Sequence, residues 1–127
     1  MEKKKFYLCT VCGNLFGVIN DSGVNPVCCA KDMRELIPNT SDGAGEKHVP
    51  VILRDKNAVI VKVGSAAHPM LPAHYIQWIT IIHGDKTQRA VLNPGEAPEA
   101  SFTLDSEEGP VTAYEYCNIH GLWTAEV

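Results

Sequence analysis

The sequence has no apolar run approaching the roughly 18 residues that a membrane-spanning helix needs. No apolar stretch follows Met1-Glu-Lys-Lys-Lys-Phe-Tyr-Leu to form the core of an export signal. A soluble, cytoplasmic chain without a membrane partner is the expectation. Basic residues are scarce as well, with 11 Lys and Arg against 15 Asp and Glu and a formal charge of −4. That balance argues against nucleic acid as a partner, because such a groove must neutralise phosphates with cations. A sustained 3.6-residue apolar period with a recognisable cap is also missing, so helices should be few. Apolar residues are not lacking. At 45% hydrophobic over 127 residues, the composition excludes a disordered chain, and the length suits one domain or a small module plus one of roughly 90 residues.

What the chain does have is thiols. Five Cys is unusual where reducing conditions disfavour structural disulfides, and it points to metal binding or redox chemistry. Cys9, Cys12, Cys28 and Cys29 lie in the first 29 residues and Cys117 stands alone near the far end. The surrounding N-terminal segment has too few large apolar residues for a core, and so short a piece generally needs a metal, disulfides or a partner to fold. Asn39-Thr-Ser-Asp-Gly-Ala-Gly45 reads as a linker, small and polar, which places a boundary near Pro38: residues 1–38 form one domain and 39–127 the other.

From His48 onward the pattern is of short β-rich runs bounded by Gly, Pro, Asn and Asp. Strands are expected at Val49–Leu53, Ala58–Val63, Tyr75–His83, Gln88–Leu92, Ala100–Leu104, Val111–Tyr116 and Leu122–Val127. Seven short strands suggest an all-β antiparallel sandwich.

In Cys9-Thr-Val-Cys12 two thiolates can sit on one side of a backbone knuckle, and Gly13 can take the positive φ that such a turn often wants. A second pair completes a tetrahedron of sulfur around one ion, Zn²⁺ or Fe, which spacing does not separate. The vicinal Cys28-Cys29 pair is awkward, because adjacent side chains tend to point apart. A redox Cys-x-x-Cys is the weaker alternative, since no βαβ pattern surrounds it.

The second constellation is His48, His68, His74, Cys117 and His120. Cys117 and His120 stand three apart in Tyr116-Cys-Asn-Ile-His-Gly, His68 and His74 share a Pro-punctuated loop, and His48 sits where the linker enters the first strand. Imidazoles suit Fe, Zn, Cu or Ni, and one thiolate softens the set toward iron or copper. Five protein ligands around a six-coordinate ion leave one position open, as a reactive site requires. His83 ends a strand at a turn and reads as a solvated loop residue.

Taken in order, Tyr7-Leu-Cys-Thr-Val-Cys-Gly-Asn, Cys28-Cys29, Gly45-Glu-Lys-His-Val-Pro, His68-Pro-Met, Ala73-His-Tyr-Ile-Gln-Trp, Pro94-Gly-Glu-Ala-Pro and Cys117-Asn-Ile-His-Gly-Leu-Trp resemble desulfoferrodoxin, the two-iron form of superoxide reductase. The resemblance covers nearly the whole chain. It implies a desulforedoxin-like Fe(Cys)₄ domain on Cys9, Cys12, Cys28 and Cys29, and an immunoglobulin-like sandwich with a catalytic iron. It further implies His48, His68, His74 and His120 as equatorial ligands, with Cys117 as the axial one. The implied reaction reduces superoxide to hydrogen peroxide with electrons from rubredoxin or a similar donor, in a homodimer. Glu46 matches a carboxylate that closes the open position of the resting iron, and Lys47 offers a cation to attract the anion and order a water for proton delivery. Gly43 and Gly45 suit a swinging loop there. Where the family often has Gly-x-Pro-Met after the vicinal pair, this chain has Ala30-Lys31-Asp32-Met33, so the exit turn is open to question. A non-catalytic iron electron-transfer protein is the alternative, and a zinc-stabilised binding module or a dismutase are further ones.

Overall fold

The structure, a computed structural model, describes residues 4–127. Two compact units divide the chain, Met1–Ile37 and Pro38–Val127.

In the first unit the strands are short. β1 (Phe6–Leu8), β2 (Leu15–Gly17) and β5 (Arg34–Glu35) form a sheet in the order β2-β1-β5, while β3 (Val27–Cys28) and β4 (Lys31–Asp32) pair as a separate hairpin. Its apolar cluster consists of buried Tyr7, Cys9 and Met33, with Val18 and Cys28 packed against them. Phe6 and Leu36 are buried as well, but a unit of this size rarely holds by burial alone.

The second unit begins with a single helical turn, α1 (Gly45–His48), followed by β6 (Pro50–Asp55), β7 (Ala58–Val63), β8 (Ile76–His83), β9 (Lys86–Val91), β10 (Glu99–Thr103), β11 (Val111–Cys117) and β12 (Gly121–Glu126). Each of the seven runs expected from the sequence is a strand. One sheet runs β10-β7-β6 and the other β12-β11-β8-β9, antiparallel throughout. The alternation in β7 sends Val59, Val61 and Val63 inward and leaves Ala58, Ile60 and Lys62 exposed. These valines and Phe102 of β10 meet Ile76, Ile79 and Ile81 of β8 and Val111, Ala113 and Cys117 of β11 across one core. This is an all-β sandwich, and each fully buried Val or Ile contributes about 1.5–3 kcal/mol to it.

Two local departures matter. β9 starts at Lys86 rather than Gln88, because His83 pairs with Lys86 across a two-residue turn in which Gly84 has φ +61°; exposed Lys86 and Thr87 carry no apolar signal of the strand. The β11–β8 register shifts between Tyr116 and Cys117, which face Trp78 and Ile76. A bulge of this kind exchanges the two faces. Ile76 would otherwise share a face with Trp78 and Thr80; instead it enters the core beside Cys117, both 0% exposed.

Candidate metal centres

In the first unit a knuckle is built by Cys9, whose N–H donates to Asn14 O at 2.8 Å and whose carbonyl accepts from Gly13 N–H at 3.0 Å. The second pair arrives on the β3–β4 hairpin. Cys28 is the last residue of β3, and Cys29 and Ala30 both take left-handed conformations, φ 55° and 58°. That two-residue turn resolves the vicinal problem: reversing the chain at Cys29 brings its Sγ to 3.9 Å from the Cys28 Sγ. Cys12 Sγ lies 3.7 Å from Cys28 Sγ, and all four sulfurs fall within 4.8 Å of one another. N–H groups of Cys12 and Val11 lower the Cys9 pKa to about 6, while hydrogen bonding with Cys12 and Cys9 raises that of Cys29 to about 12. Four sulfurs this close suit a cation at their centre.

In the second unit His48, His68, His74, Cys117 and His120 bring one ligand atom each within 4.8 Å of the others. The elements explain the convergence. α1 delivers His48, the β7–β8 loop carries His68 and His74, and β11 ends at Cys117, with His120 on the turn into β12. Gly64 packs against α1 so closely that a Cβ there would come 2.7 Å from Glu46 O.

Tautomers are set from outside the cluster. His48 Nδ1 contacts Ala44 O at 2.7 Å and His68 Nδ1 contacts Pro69 O at 2.6 Å, so each nitrogen that faces a carbonyl must carry the proton. Both Nε2 atoms are then bare acceptors, yet they lie 3.1 Å apart, and His120 Nδ1 lies 3.1 Å from His48 Nε2. His74 Nε2 is buried with no hydrogen-bond partner among the described residues. Lone pairs packed against lone pairs fit a metal ion held between them. Desolvation lowers the pKa of His48 and His74 and brings His68 to about 4, which keeps these imidazoles neutral. Burial raises the Cys117 thiol, opposed by the N–H groups of His120, 3.4 Å from Sγ, and Ile119.

Glu46 and Lys47, both exposed, occupy α1 immediately before His48. Their charges reach the cluster: Lys47 lowers the pKa of His74, after desolvation and His120, and Glu46 slightly raises that of His48. Glu46 O accepts hydrogen bonds from Ala66 N–H at 2.8 Å and Ser65 Oγ at 3.2 Å. Gly43 serves close approach, since a Cβ there would stand 2.9 Å from His120 Cβ and 3.0 Å from His48 Cε1. His83 lies outside the cluster with its Nε2 2.6 Å from Glu108 O.

Three residues near the second cluster carried no chemical signal in the sequence. Trp123 stacks on His48, centroids 5.0 Å apart, and its Nε1–H donates to His120 O at 3.1 Å. Glu115 is 0% exposed on the core side of β11, with no partner for either carboxylate oxygen among the described residues, and burial raises its pKa well above the usual carboxylate range. Its inward position in the alternation two residues before Cys117 was the only available clue. The third, Asn118, lies between Cys117 and Ile119.

The main family model matching the chain is desulfoferrodoxin, over residues 40–126, and a second, the desulfoferrodoxin N-terminal domain, matches residues 1–36. The chain belongs to the desulfoferrodoxin family. It is 50% identical to the desulfoferrodoxin of Syntrophotalea carbinolica over 125 residues, covering 98% of each chain. It is 37% identical to the superoxide reductase of Pyrococcus horikoshii, covering 75% of this chain and 96% of that one. Among solved structures it is similar to the superoxide reductase of Treponema pallidum, with a TM-score of 0.81, 35% identity and coverage of 98% and 99%.

Proposed function

We propose that the chain is a superoxide reductase, converting superoxide and two protons to hydrogen peroxide with one electron from iron. The observation that carries this is the His48, His68, His74, Cys117 and His120 cluster, with neutral imidazoles and a buried sulfur beside an exposed cation, in a chain whose relatives bear that name. Residues 39–127 form the catalytic domain, and residues 1–38 are a desulforedoxin-like domain with an Fe(Cys)₄ centre on Cys9, Cys12, Cys28 and Cys29. His48, His68, His74, His120 and Cys117 would hold the iron, which would supply the electron to superoxide.

The chain's own residues do the rest. Ala44 O and Pro69 O lock the His48 and His68 rings with Nε2 inward. Burial of His48, His68 and Cys117 keeps water from the core side, and the partly exposed His74 and His120 mark the outward edge. The N–H groups of Ile119 and His120 temper the charge on Cys117 Sγ. The neighbouring Asn118 N–H takes no part in this, since it donates to Tyr75 O at 3.3 Å. Lys47 Nζ supplies positive charge against a net charge of −4 and donors for a water that brings protons to the leaving peroxide. Glu46 is the carboxylate that closes the site between turnovers. A rubredoxin-like donor re-reduces the iron in the cytoplasm. Exposed Val11, Phe16, Ile19, Val24 and Val27 on the first unit support a homodimer, which sedimentation would measure.

Purified chain should hold about two iron ions and consume superoxide with peroxide, and no dioxygen, as product. Zinc in the five-ligand centre, or evolved dioxygen, overturns the reading. Azide should perturb the ferric spectrum by entering the open position; an unperturbed spectrum would favour an electron carrier. Lys47→Ala should slow superoxide consumption at low salt several-fold and flatten its ionic-strength dependence, with an unchanged rate removing its steering role.

A further inference from the structure

We infer that Asn118 is a positioning residue that fixes His74 relative to Cys117 by gripping the backbone on both sides of His74. This rests on the reading of the five-residue cluster as one metal centre. His48 and His68 are steadied through their rings by carbonyls, whereas the buried Nε2 of His74 has no hydrogen-bond partner among the described residues. The place of His74 must come from its backbone. Its nearest backbone ties are local: Leu71 and His74 exchange N–H···O bonds of 2.9 and 3.0 Å, closing a turn on itself.

The link from that turn to the rest of the site is Asn118. Its Oδ1 accepts from Tyr75 N–H at 2.9 Å, its Nδ2 donates to Ala73 O at 3.0 Å, and its own N–H donates to Tyr75 O at 3.3 Å. Ala73 and Tyr75 flank His74, and Asn118 follows Cys117. The carboxamide thus acts like one more peptide unit, extending the β11–β8 ladder past its bulge at Cys117 and Ile76. A side chain makes both contacts by carrying an acceptor and a donor on the same carbon, as the carboxamide does. Asp keeps the acceptor and loses the donor, and Ala loses both.

The test uses the full chain loaded with iron at both centres, following release to a ferrous chelator through the colour of each. Asn118→Ala should speed release from the five-ligand centre about tenfold, the lower end of what outer hydrogen bonds to metal ligands contribute, and leave the four-Cys centre unchanged. In a His74→Ala background the same substitution should add no further acceleration. An equal factor in both backgrounds, or no effect in the first, overturns the inference. If His74→Ala does not hold the second iron, Asn118→Asp decides. Its release rate should fall between wild type and Asn118→Ala, with the Tyr75 amide still slow to exchange; release as slow as wild type overturns the inference. Amide exchange at Ile79 to Ile82 should stay unchanged in every variant, and a general acceleration along β8 would make Asn118 merely structural and overturn it. Wild-type chain that takes up iron only at the four-Cys centre overturns both this inference and the proposed function, whereas iron at the five-ligand centre without superoxide reduction overturns the function alone.

Discussion

Trp123 is 4% exposed, lies against His48 and donates to His120 O, which also accepts from Ser41 Oγ at 2.6 Å. Its contribution divides into packing and one hydrogen bond. Trp123→Phe keeps an aromatic face on His48 and should cost about 1 kcal/mol for the lost donor, while Trp123→Ala should cost about 3–5 kcal/mol. Urea unfolding of the second unit measures both, and equal losses would deny the stack a role. Gly43→Ala should act on the neighbouring rings, because no Cβ fits at 2.9 Å from His120 Cβ. The five-ligand centre should then lose iron faster at unchanged four-Cys colour, as iron analysis would register. At this scale the residues of the two clusters were legible and their supports were not. A Cys or His announces its chemistry by type, whereas Trp123, Asn118 and Gly43 act through distances to residues far away in sequence.

Among the elements, β7 and β10 were readable because one face is buried and the alternation is clean. β11 is buried on both faces and β9 opens on exposed Lys86 and Thr87, so composition located them without fixing their ends. The bulge that turns Ile76 inward had no local signature, since it is a property of the pairing. The exit turn after Cys28-Cys29 was open to question because Ala30 stands where the family often has Gly. The structure retains the reversal, but with Ala30 at φ 58°, where a Cβ meets the backbone at a cost of roughly 1 kcal/mol. Ala30→Gly should therefore stabilise the first unit by about that amount, read as slower iron loss from the four-Cys centre. Faster loss would mean that the added chain entropy of Gly outweighs the relieved strain.

For the molecule as a whole, the two units depend on metal to different degrees. The sandwich has a core spanning two sheets, with Val61, Ile76, Ile79 and Val111 each 0% exposed. The first unit packs Tyr7, Cys9 and Met33 in its cluster, and one of those three belongs to the four-Cys group. Binding free energy at the four sulfurs is therefore folding free energy for that unit. Complete removal of iron under reducing conditions should collapse the amide dispersion of residues 5–36 in a proton–nitrogen correlation spectrum while the strands from β6 to β12 keep theirs. Cys12→Ser should reproduce this locally, abolishing the charge-transfer colour of the first centre while peroxide formation from chemically reduced chain continues. Loss of turnover in that variant would show that electrons reach the five-ligand centre only through the first. A first unit that stays dispersed without metal would instead mean that its short strands and the Tyr7–Met33 contact suffice.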